Sequence, residues 1–331
     1  MISGMLGDIV IDMSIRIACN NMPDHIDEGR KMLIDNFSVD FVSWNRSQII
    51  EHIAPYDAFI TSISLFDKEI FDVARQLKVV ATPSTGTDHI DLVAAEKRQV
   101  AVLSIKNETE YLAKITSTAE QAFALLLSVM RKLPFAFEAV RTHNRWVSAD
   151  FRGHSLSGKT LGIIGYGRLG KMMARYGEAF GMNIVAYDPY VDSFAPYVMS
   201  LTFDELLRCS DVISLHVHLN DTTRNMLNKQ AFQLMKKNVV IINTSRGALI
   251  DESELLLALK EHRILGAGLD VLASELYGDI SDDPLVQYAK DHDNVVISPH
   301  IGGVTFESQE LAYTKIVSMI IEWFDKHNKR E

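Results

Sequence analysis

The sequence predicts an α/β protein built from two doubly wound parallel sheets, and three observations support this fold class. Short β-branched runs alternate with segments of helical period almost from end to end, as in sheets wrapped by crossover helices. The strand runs fall into two series, separated by a long apolar helical segment. The length of 331 residues is typical of two domains of moderate size. Each series should therefore form a sheet with its own core.

The first series predicts a small five-stranded sheet in the first third of the chain. Its runs are short and rich in Val, Ile and Phe, which is typical of buried strands. The predicted strands are 15–19, 40–43, 57–61, 78–81 and 100–104.

A long amphipathic helix is predicted between the two series, over residues 115–134. Ser117 or Thr118 could cap its start, and Pro134 is expected to end it. The second series then begins at residue 161. Its predicted strands are 161–165, 183–187, 211–217, 239–243, 266–271 and 294–299.

The segment after His300 again has helical period, and it is too long to be only the tail of the second sheet. We expect it to return to the first domain. The predicted domains are therefore 1–114 plus 305–331, and 115–304.

Composition and charge exclude several classes of function. A formal charge of -10 and a pI near 5.6 argue against a nucleic-acid or anionic-membrane surface, which would need clustered cations. The longest apolar run, 122–130, is too short to span a bilayer. Cys19 and Cys209 can build neither a disulfide framework nor a thiolate metal cluster, and the N-terminus does not resemble a targeting signal. These features predict a cytoplasmic protein.

A glycine turn opens the second series. Gly165, Gly167 and Gly170 form a G-x-G-x-x-G pattern directly after an apolar strand and at the start of a helical segment. Asp188 follows at the end of the next strand, where an acid that binds ribose is expected. A structural glycine turn is the alternative, but the strand, the helix and the acid all agree with a Rossmann dinucleotide site.

Asp188 also predicts which dinucleotide is bound. Its carboxylate would repel a 2′-phosphate, and neither Pro189 nor Tyr190 offers a cation to bind one. The predicted cofactor is NAD rather than NADP.

Four stretches in this order together resemble the D-isomer-specific 2-hydroxyacid dehydrogenase family, in particular its phosphoglycerate dehydrogenase-like members without a regulatory C-terminal domain. The similarity covers nearly the whole chain. The stretches are STGTDHIDL (84–92), GIIGYGRLG (162–170), INTSRGALID (242–251) and SPHIGG (298–303).

The resemblance implies a flavodoxin-like substrate domain and a Rossmann NAD domain, with the active site in the cleft between them. It also implies roles for three side chains. Arg246 matches the family's substrate arginine, Glu275 its histidine-orienting acid and His300 its acid/base histidine. His218 and Leu276 depart from the family pattern, since the family commonly has proline at both positions.

The chemistry of these residue types supports the same roles. A guanidinium can hold the carboxylate and carbonyl of a 2-oxo acid through its fork of donors. Reduction of the carbonyl needs a proton, and histidine titrates close to neutrality. A carboxylate next to that histidine would fix its tautomer. A solvated loop arginine, a structural histidine and a loop acid are the alternatives for Arg246, His300 and Glu275 taken singly.

Further contacts complete the predicted site. Backbone N–H groups around Thr85 and Gly86 should receive the remaining carboxylate charge of the substrate. His216 and His218 share a strand face, but no further ligand set accompanies them, so no metal is predicted. Besides the three glycines and Asp188, the predicted cofactor contacts are Arg168, Leu169, Thr244, Ser245, Asp270 and Gly303.

The substrate is predicted only by class. Relatives that oxidise 3-phosphoglycerate tend to have arginine in the loop at 61–67, which here has no cation. Leu65 and Phe66 suggest instead a small or apolar side chain on the 2-oxo acid. Hydroxypyruvate, glyoxylate, pyruvate and longer 2-oxo acids all stay open.

Two further expectations concern partners. The helix at 116–133 has more apolar surface than one domain interface requires, so a homodimer is predicted. The alternative to an enzyme is a corepressor-like protein that senses the dinucleotide without turnover. Such relatives often have disordered tails, which this acidic chain lacks.

Overall fold

The computed structural model describes residues 14–275 and 279–328, and the chain divides into two compact units. Unit 1 is the described part of Met1–Ile115 together with that of Phe306–Glu331, and unit 2 is that of Thr116–Thr305. Each unit is built on a parallel sheet with helices between the strands. The predicted fold class is therefore confirmed.

Unit 1 contains a five-stranded parallel sheet. Its strands are β1 Arg16–Asn20, β2 Ser38–Val42, β3 Ala58–Ile60, β4 Val79–Thr82 and β5 Ala101–Ser104. The helices between and after them are α1 Asp27–Asn36, α2 Arg46–His52, α3 Lys68–Val73, α4 Leu92–Lys97 and α5 Thr109–Leu112. The strand order β2-β1-β3-β4-β5 is that of the flavodoxin-like fold.

Unit 2 contains a seven-stranded parallel sheet. Its helices are α6 Ser117–Arg131, α7 Leu133–His143, α8 Arg168–Ala179, α9 Phe203–Cys209, α10 Lys229–Leu234, α11 Glu252–Lys260 and α12 Pro284–Ala289. Its strands are β6 Thr160–Ile164, β7 Asn183–Tyr187, β8 Val198–Ser200, β9 Val212–Leu215, β10 Val240–Asn243, β11 Gly266–Leu269 and β12 Val295–Ile297. The order β12-β11-β10-β9-β6-β7-β8 reverses direction between β9 and β6, where a Rossmann sheet binds its ligand.

Both faces of the unit 2 sheet are covered by apolar side chains. Ile241 packs in one buried cluster, and its neighbour Ile242, which points to the other face, packs in a second. A strand buried on both faces reads as a continuous apolar run, which is why β10 could be predicted from sequence. β8 could not be predicted, because it is a three-residue edge strand with two exposed residues.

The predicted helix at 115–134 is wrong at both ends. Thr116, not Ser117 or Thr118, precedes the first turn of α6, and its side chain makes no capping bond. At the other end Lys132 adopts a left-handed conformation, with φ of 52°, and terminates α6. Pro134 lies in the first turn of α7, where the missing N–H costs nothing, so it begins a helix instead of ending one.

The C-terminal helix, α13 Phe306–Asn328, belongs to unit 1. Tyr313, Ile316 and Val317 lie in the same buried cluster as β1 and α1 residues. Glu310 accepts hydrogen bonds from the backbone N–H groups of Asp27 and Glu28 at 3.1 Å each. The carboxylate of α13 thus caps α1, whose own N-cap residue, Ile26, has no side chain suited to the task.

The described part of the chain contains no candidate for a membrane-spanning helix. None of the helices there is both long enough and apolar enough to cross a bilayer.

Candidate active site

The predicted site residues of unit 2 all follow strands, so they lie at the carboxyl-terminal end of its parallel sheet. The glycine turn follows β6, Asp188 follows β7, Arg246 follows β10, Glu275 follows β11 and His300 follows β12. Because the strands are parallel, their carboxyl ends meet at this end. The fold therefore brings residues far apart in sequence to one side of the sheet.

The glycine turn packs tightly against its surroundings. Gly165 has a φ of +94°, and a β-carbon there would lie 2.6 Å from the carbonyl oxygen of His216. A β-carbon on Gly170 would lie 2.0 Å from the carbonyl oxygen of Gly165. Neither position can hold a side chain without a shift of the backbone. The first turn of α8 consequently packs directly on the turn that precedes it.

The room beside Gly167 fits a dinucleotide pyrophosphate. A β-carbon at Gly167 would meet no described atom within 4 Å, and Gly167 is the N-cap residue of α8 and provides no side-chain cap. The first N–H groups of a helix that starts this way can donate to phosphate oxygens. Burial lowers the pKa of the Arg168 guanidinium in the first position of the helix, so an anion beside it would be stabilising. The hydroxyl oxygen of Thr244 is buried without a partner among the described residues, so a polar group of the ligand could bond to it.

Asp188 connects the end of β7 to the glycine turn. One carboxylate oxygen accepts a hydrogen bond from the N–H of Tyr166 at 2.8 Å, and the other accepts one from Tyr190 at 2.9 Å. A carboxylate has about four acceptor sites, so ribose hydroxyls could still donate to it. The side chain of Tyr190 beside it is 87% exposed, which leaves an aromatic surface next to Asp188.

The turn that carries Arg246 is held by a buried amide. Asn243, at the end of β10, donates from its side chain to the carbonyl oxygen of Arg246 at 2.8 Å and accepts from the N–H of Ser245 at 3.0 Å. Ser245 in turn donates to the carbonyl oxygen of Leu215 on the adjacent strand β9, at 2.8 Å. The guanidinium Nη1 of Arg246 lies 2.8 Å from the carbonyl oxygen of Ser245. The backbone below this arginine is therefore rigid.

His300 and Glu275 form a hydrogen-bonded pair. The Nδ1 atom of His300 lies 3.0 Å from a carboxylate oxygen of Glu275, and the second oxygen accepts from the N–H of Leu272 at 3.3 Å. The side chains are 34% and 20% exposed. Such a bond selects the tautomer with hydrogen on Nδ1, so Nε2 is the nitrogen available for proton exchange with a substrate.

Asp270 holds the loop that carries His300. Its carboxylate is almost fully buried and accepts hydrogen bonds from the hydroxyl of Ser298 at 2.6 Å and from the N–H groups of Ile301 and Gly302 at 2.9 and 2.7 Å. His300 itself has a left-handed backbone, with φ of 52°, and its N–H donates to the carbonyl oxygen of Asp270 at 2.9 Å. Because such a conformation is unfavourable for a residue with a side chain, these bonds are needed to keep His300 in place.

The two histidines considered for a metal have different environments. A ring nitrogen of His216 lies 2.9 Å from the hydroxyl of Ser214, while Nδ1 is shielded from solvent and has no described partner. Burial lowers the pKa of His216 to about 4, so its ring is neutral near pH 7. His218 is exposed, and its carbonyl oxygen accepts from Thr223 at 2.7 Å. Within 14–275 and 279–328 no group of three potential ligands could hold a metal ion.

Of the remaining predicted residues, Leu169 lies in the first turn of α8 and Gly303 follows β12, while Thr85 and Gly86 belong to unit 1. Thr85 and Gly86 are half-buried in the turn after β4, and the preceding Ser84 donates to the carbonyl oxygen of Ser62 at 3.2 Å. Phe66 cannot contact a substrate as predicted, because it is fully buried among the core rings of unit 1. Leu276 lies outside the described residues.

Two residues that hold candidate site residues in place were missed by the sequence analysis. Asn243 braces the arginine turn, and Ser298 joins Asp270 to the side chain of Gln121, which donates to its hydroxyl at 3.0 Å. A polar residue at the end of a buried strand was a signal for Asn243. No local signal could have paired Ser298 with Gln121, which is 177 positions away in sequence.

Comparison with known proteins agrees with this geometry. The family profile described as D-isomer specific 2-hydroxyacid dehydrogenase, NAD binding domain, matches residues 123–302. This match confirms NAD as the predicted cofactor. Glyoxylate reductase from Thermococcus litoralis is 38% identical over 279 residues, which cover 80% of each chain. D-3-phosphoglycerate dehydrogenase from Mycobacterium tuberculosis is 35% identical over 280 residues, which cover 83% of this chain and 51% of that protein. The chain thus spans about half the length of the curated D-3-phosphoglycerate dehydrogenases it matches.

Solved structures extend the likeness to both units. The structure of D-lactate dehydrogenase from Aquifex aeolicus, complexed with NAD and lactic acid, is 29% identical, with a TM-score of 0.80 and coverage of 95% of this chain and 96% of that chain. The pyruvate reductase of Chlamydomonas reinhardtii is 27% identical, with a TM-score of 0.79 and coverage of 94% and 96%. The profile match, the sequence identity to these relatives and the shared fold lead to one conclusion: the chain belongs to the D-isomer specific 2-hydroxyacid dehydrogenase family.

Proposed function

We propose that the protein is an NAD-dependent oxidoreductase that interconverts a small 2-oxo acid and the corresponding D-2-hydroxy acid. The observation that carries this proposal is the 3.0 Å bond between His300 and Glu275, at the same end of the sheet as the glycine turn. An oriented histidine beside a dinucleotide site is what proton transfer coupled to hydride transfer requires.

His300 acts as the acid in the reducing direction. Glu275 holds Nδ1, so the proton delivered to the substrate's carbonyl oxygen leaves from Nε2. In the oxidising direction Nε2 takes the proton from the hydroxyl group. The carboxylate of Glu275 stabilises the imidazolium form that donates.

Arg246 binds the substrate carboxylate and the adjacent carbonyl through its planar donors. The rigid turn under Arg246, braced by Asn243, supports this role because a bidentate contact requires a preorganised guanidinium. Backbone N–H groups at Thr85 and Gly86 receive the rest of the carboxylate charge.

The cofactor is held by the glycine turn, the N-terminus of α8 and Arg168 at its pyrophosphate, and by Asp188 at its ribose. Thr244, Ser245, Asp270 and Gly303 complete the contacts. When bound, NADH supplies the hydride that reduces C2 of the 2-oxo acid. Asp188 favours NADH over NADPH, since its carboxylate would repel a 2′-phosphate.

The substrate has an uncharged and small side chain. Residues 61–67 contain neither Lys nor Arg, and the nearby Arg46 is paired with Asp67 and Glu69 at 2.6 and 2.5 Å. A phosphorylated side chain would need free cations there. Glyoxylate, pyruvate and hydroxypyruvate fit this description, and the names of the glyoxylate and lactate relatives agree with it.

We propose a cytoplasmic location because of the free thiols and the negative net charge of the protein. Cys19 and Cys209 are unpaired, which suits the reducing cytoplasm.

The assembly we propose is a homodimer, in which two copies of the protein meet through their NAD-binding units.

Steady-state assays with glyoxylate, pyruvate, hydroxypyruvate, 2-oxoisocaproate and 3-phosphohydroxypyruvate test the activity, each with NADH and with NADPH. We expect turnover of at least one unphosphorylated acid with NADH, and loss of about a hundredfold to ten-thousandfold in His300→Ala with NADH still bound. Silence of the wild type across the panel, together with tight NADH binding, would instead favour the dinucleotide sensor. Equal use of NADPH would remove the assigned role of Asp188.

A further inference from the structure

The segment 272–275, which ends at Glu275, is fastened to α11 by a side chain outside the site described so far. Glu252, the first residue of α11, accepts a hydrogen bond from the backbone N–H of Ala273 at 2.8 Å. Glu252 is half-buried and Ala273 is exposed, so this bond lies at the surface of the unit. A carboxylate acceptor makes it a charge-assisted bond, which is stronger than a neutral one.

The position of Glu275 depends on this backbone. One oxygen of Glu275 bonds to the N–H of Leu272 within the same segment, and only the other oxygen reaches His300. Ser274 is tied to Asp283, at the N-terminus of α12, at 2.6 Å. A shift of the segment would therefore carry the Glu275 carboxylate away from Nδ1 of His300.

The same segment also packs against the arginine turn. A β-carbon on Gly247 would lie 2.1 Å from the nitrogen of Ala273 and 2.2 Å from the carbonyl carbon of Leu272. Arg246 precedes this glycine, and Glu252 follows it by five residues. The stretch from Arg246 to Glu252 thus touches the Glu275 segment twice, once by backbone packing and once by a hydrogen bond.

The helix does not need the Glu252 carboxylate as a cap. Asp251 already caps α11, because its side chain accepts from the N–H groups of Ser253 and Glu254 at 3.1 and 3.3 Å. Burial raises the pKa of Glu252, and the charges of Asp283 and Glu275 raise it further. Holding a carboxylate in this acidic surrounding has a cost, and the bond to Ala273 is the contact that offsets it.

We propose that Glu252 is a positioning residue for the reaction: by holding the backbone at Ala273, it keeps Glu275 aimed at His300 while the adjoining turn presents Arg246. This inference rests on the proposed function, because the consequence it names is the orientation of the acid/base histidine. It assigns to Glu252 no contact with substrate or cofactor.

Two variants of the full-length protein separate the hydrogen bond from the charge. Glu252→Gln keeps the acceptor oxygen and its reach but removes the charge. Glu252→Asp keeps the charge but is one methylene group shorter, so it withdraws the acceptor from Ala273. Glu254→Asp is the matched control, because Glu254 lies in the same helical turn and its side chain makes no hydrogen bond to the 272–275 segment.

If positioning is the role, Glu252→Asp lowers kcat by about ten- to a hundredfold and moves the upper limb of the turnover profile to lower pH, while the Kd for NADH is unchanged. Glu252→Gln restores most of the turnover, and Glu254→Asp behaves as the wild type. A loss in Glu252→Gln together with wild-type turnover in Glu252→Asp would mean that charge, not the bond, matters, and would overturn the proposal.

A second readout needs no turnover and so separates this inference from the proposed function. Hydrogen exchange of the Ala273 amide and the ring resonances of His300, assigned with His300→Ala, are followed by NMR. In Glu252→Asp we expect exchange at least about tenfold faster and shifted His300 ring resonances, because Glu275 no longer contacts Nδ1 of the ring. If both are unchanged in that variant, Glu252 does not position Glu275, whatever the substrate panel shows.

Discussion

Arg246 and His300 have different tasks in the proposed reaction, and the structure supports each in a different way. Arg246 stands on a turn braced from below by the buried amide of Asn243. His300 has a strained backbone and lies in a loop that the Asp270 carboxylate holds, and Glu275 orients its ring. Substrate binding and proton transfer should therefore be separable by substitution.

Arg246→Lys is expected to raise the KM for the 2-oxo acid by about tenfold or more, because an ammonium cannot make a two-pronged contact. The Kd for NADH should stay the same, as measured by fluorescence titration. The acid/base variant His300→Ala provides the contrast, since its main loss should be in kcat. A normal KM in Arg246→Lys would mean that the arginine is only a solvated loop residue.

His216 should make the stability of the protein sensitive to acid. Its pKa is lowered to about 4 by burial, below the value of about 6.5 in an unfolded chain. Since the unfolded state then binds the proton first, the stabilisation is present above pH 6.5 and is lost as pH falls towards 4.

Between pH 6.5 and pH 5 the free energy of unfolding should fall by about 2 kcal/mol on account of this residue. His216→Gln, whose amide gains no proton, should lose correspondingly less in urea titrations at the two values. His154→Gln, at an exposed histidine, is the control. Parallel losses in the wild type and His216→Gln would show that other groups cause the acid sensitivity.

The positions of candidate site residues could be predicted where a motif places a chemical group after a strand, as with Arg246 and His300. Phe66 was misjudged because a loop aromatic and a core aromatic look alike in sequence, and only the packing against Phe71, with ring centres 4.8 Å apart, identifies it as core. Ser298 and Glu252 act through partners distant in sequence, which no local pattern reveals.

At the scale of elements, the start of α8 contains two glycines whose surroundings are opposite, one crowded and one open. Gly170 is in contact with the backbone of the turn, whereas Gly167 faces open space in the described structure. The first therefore serves packing, and the second leaves room for a ligand.

Gly167→Ala should fold with an unchanged Tm but bind NADH at least about tenfold more weakly, because the added methyl group occupies the space for the pyrophosphate. Gly170→Ala should lower the Tm itself. Thermal unfolding and calorimetric titration with NADH distinguish the two variants. Wild-type affinity in Gly167→Ala would place the pyrophosphate elsewhere.

Strands and helices could be predicted when both their interiors and their ends carried signals. The central strands were predicted to within two residues at each end, because burial on both faces leaves uninterrupted apolar runs. The break between α6 and α7 was missed, since it depends on the left-handed conformation of Lys132, and lysine gives no warning of it. Glycine is the residue that usually signals such an end.

At the scale of the whole molecule, the structure changes where we expect the predicted dimer to form, from α6 to α7. The apolar face of α6 is buried against its own sheet, with Leu125 and Val129 in the unit 2 core. Exposed apolar side chains of unit 2 lie instead on and after α7, and they include Phe137, which is 68% exposed, and Trp146, which is 88% exposed. Large exposed apolar side chains of this kind are typical of an interface.

The wild type should have the mass of a dimer in light scattering at micromolar concentration, and the double variant Phe137→Ser and Trp146→Ser should shift it towards the monomer. Leu92→Ser with Val93→Ser, at two exposed apolar residues of α4, is the control and should leave the mass unchanged. A monomeric wild type, or dissociation by the α4 control alone, would contradict this interface.

The return of α13 to unit 1 determines the order in which the protein can mature on the ribosome. Unit 2 is one continuous stretch and can fold as soon as residue 305 has emerged. Unit 1 begins to be synthesised first but is completed last, because Ile316, Ile320 and Phe324 supply part of its core and Glu310 caps its first helix. Until then the apolar surface that α13 later covers is exposed on the nascent chain. A chaperone that binds unfolded chains would therefore have the longest time to bind at this surface.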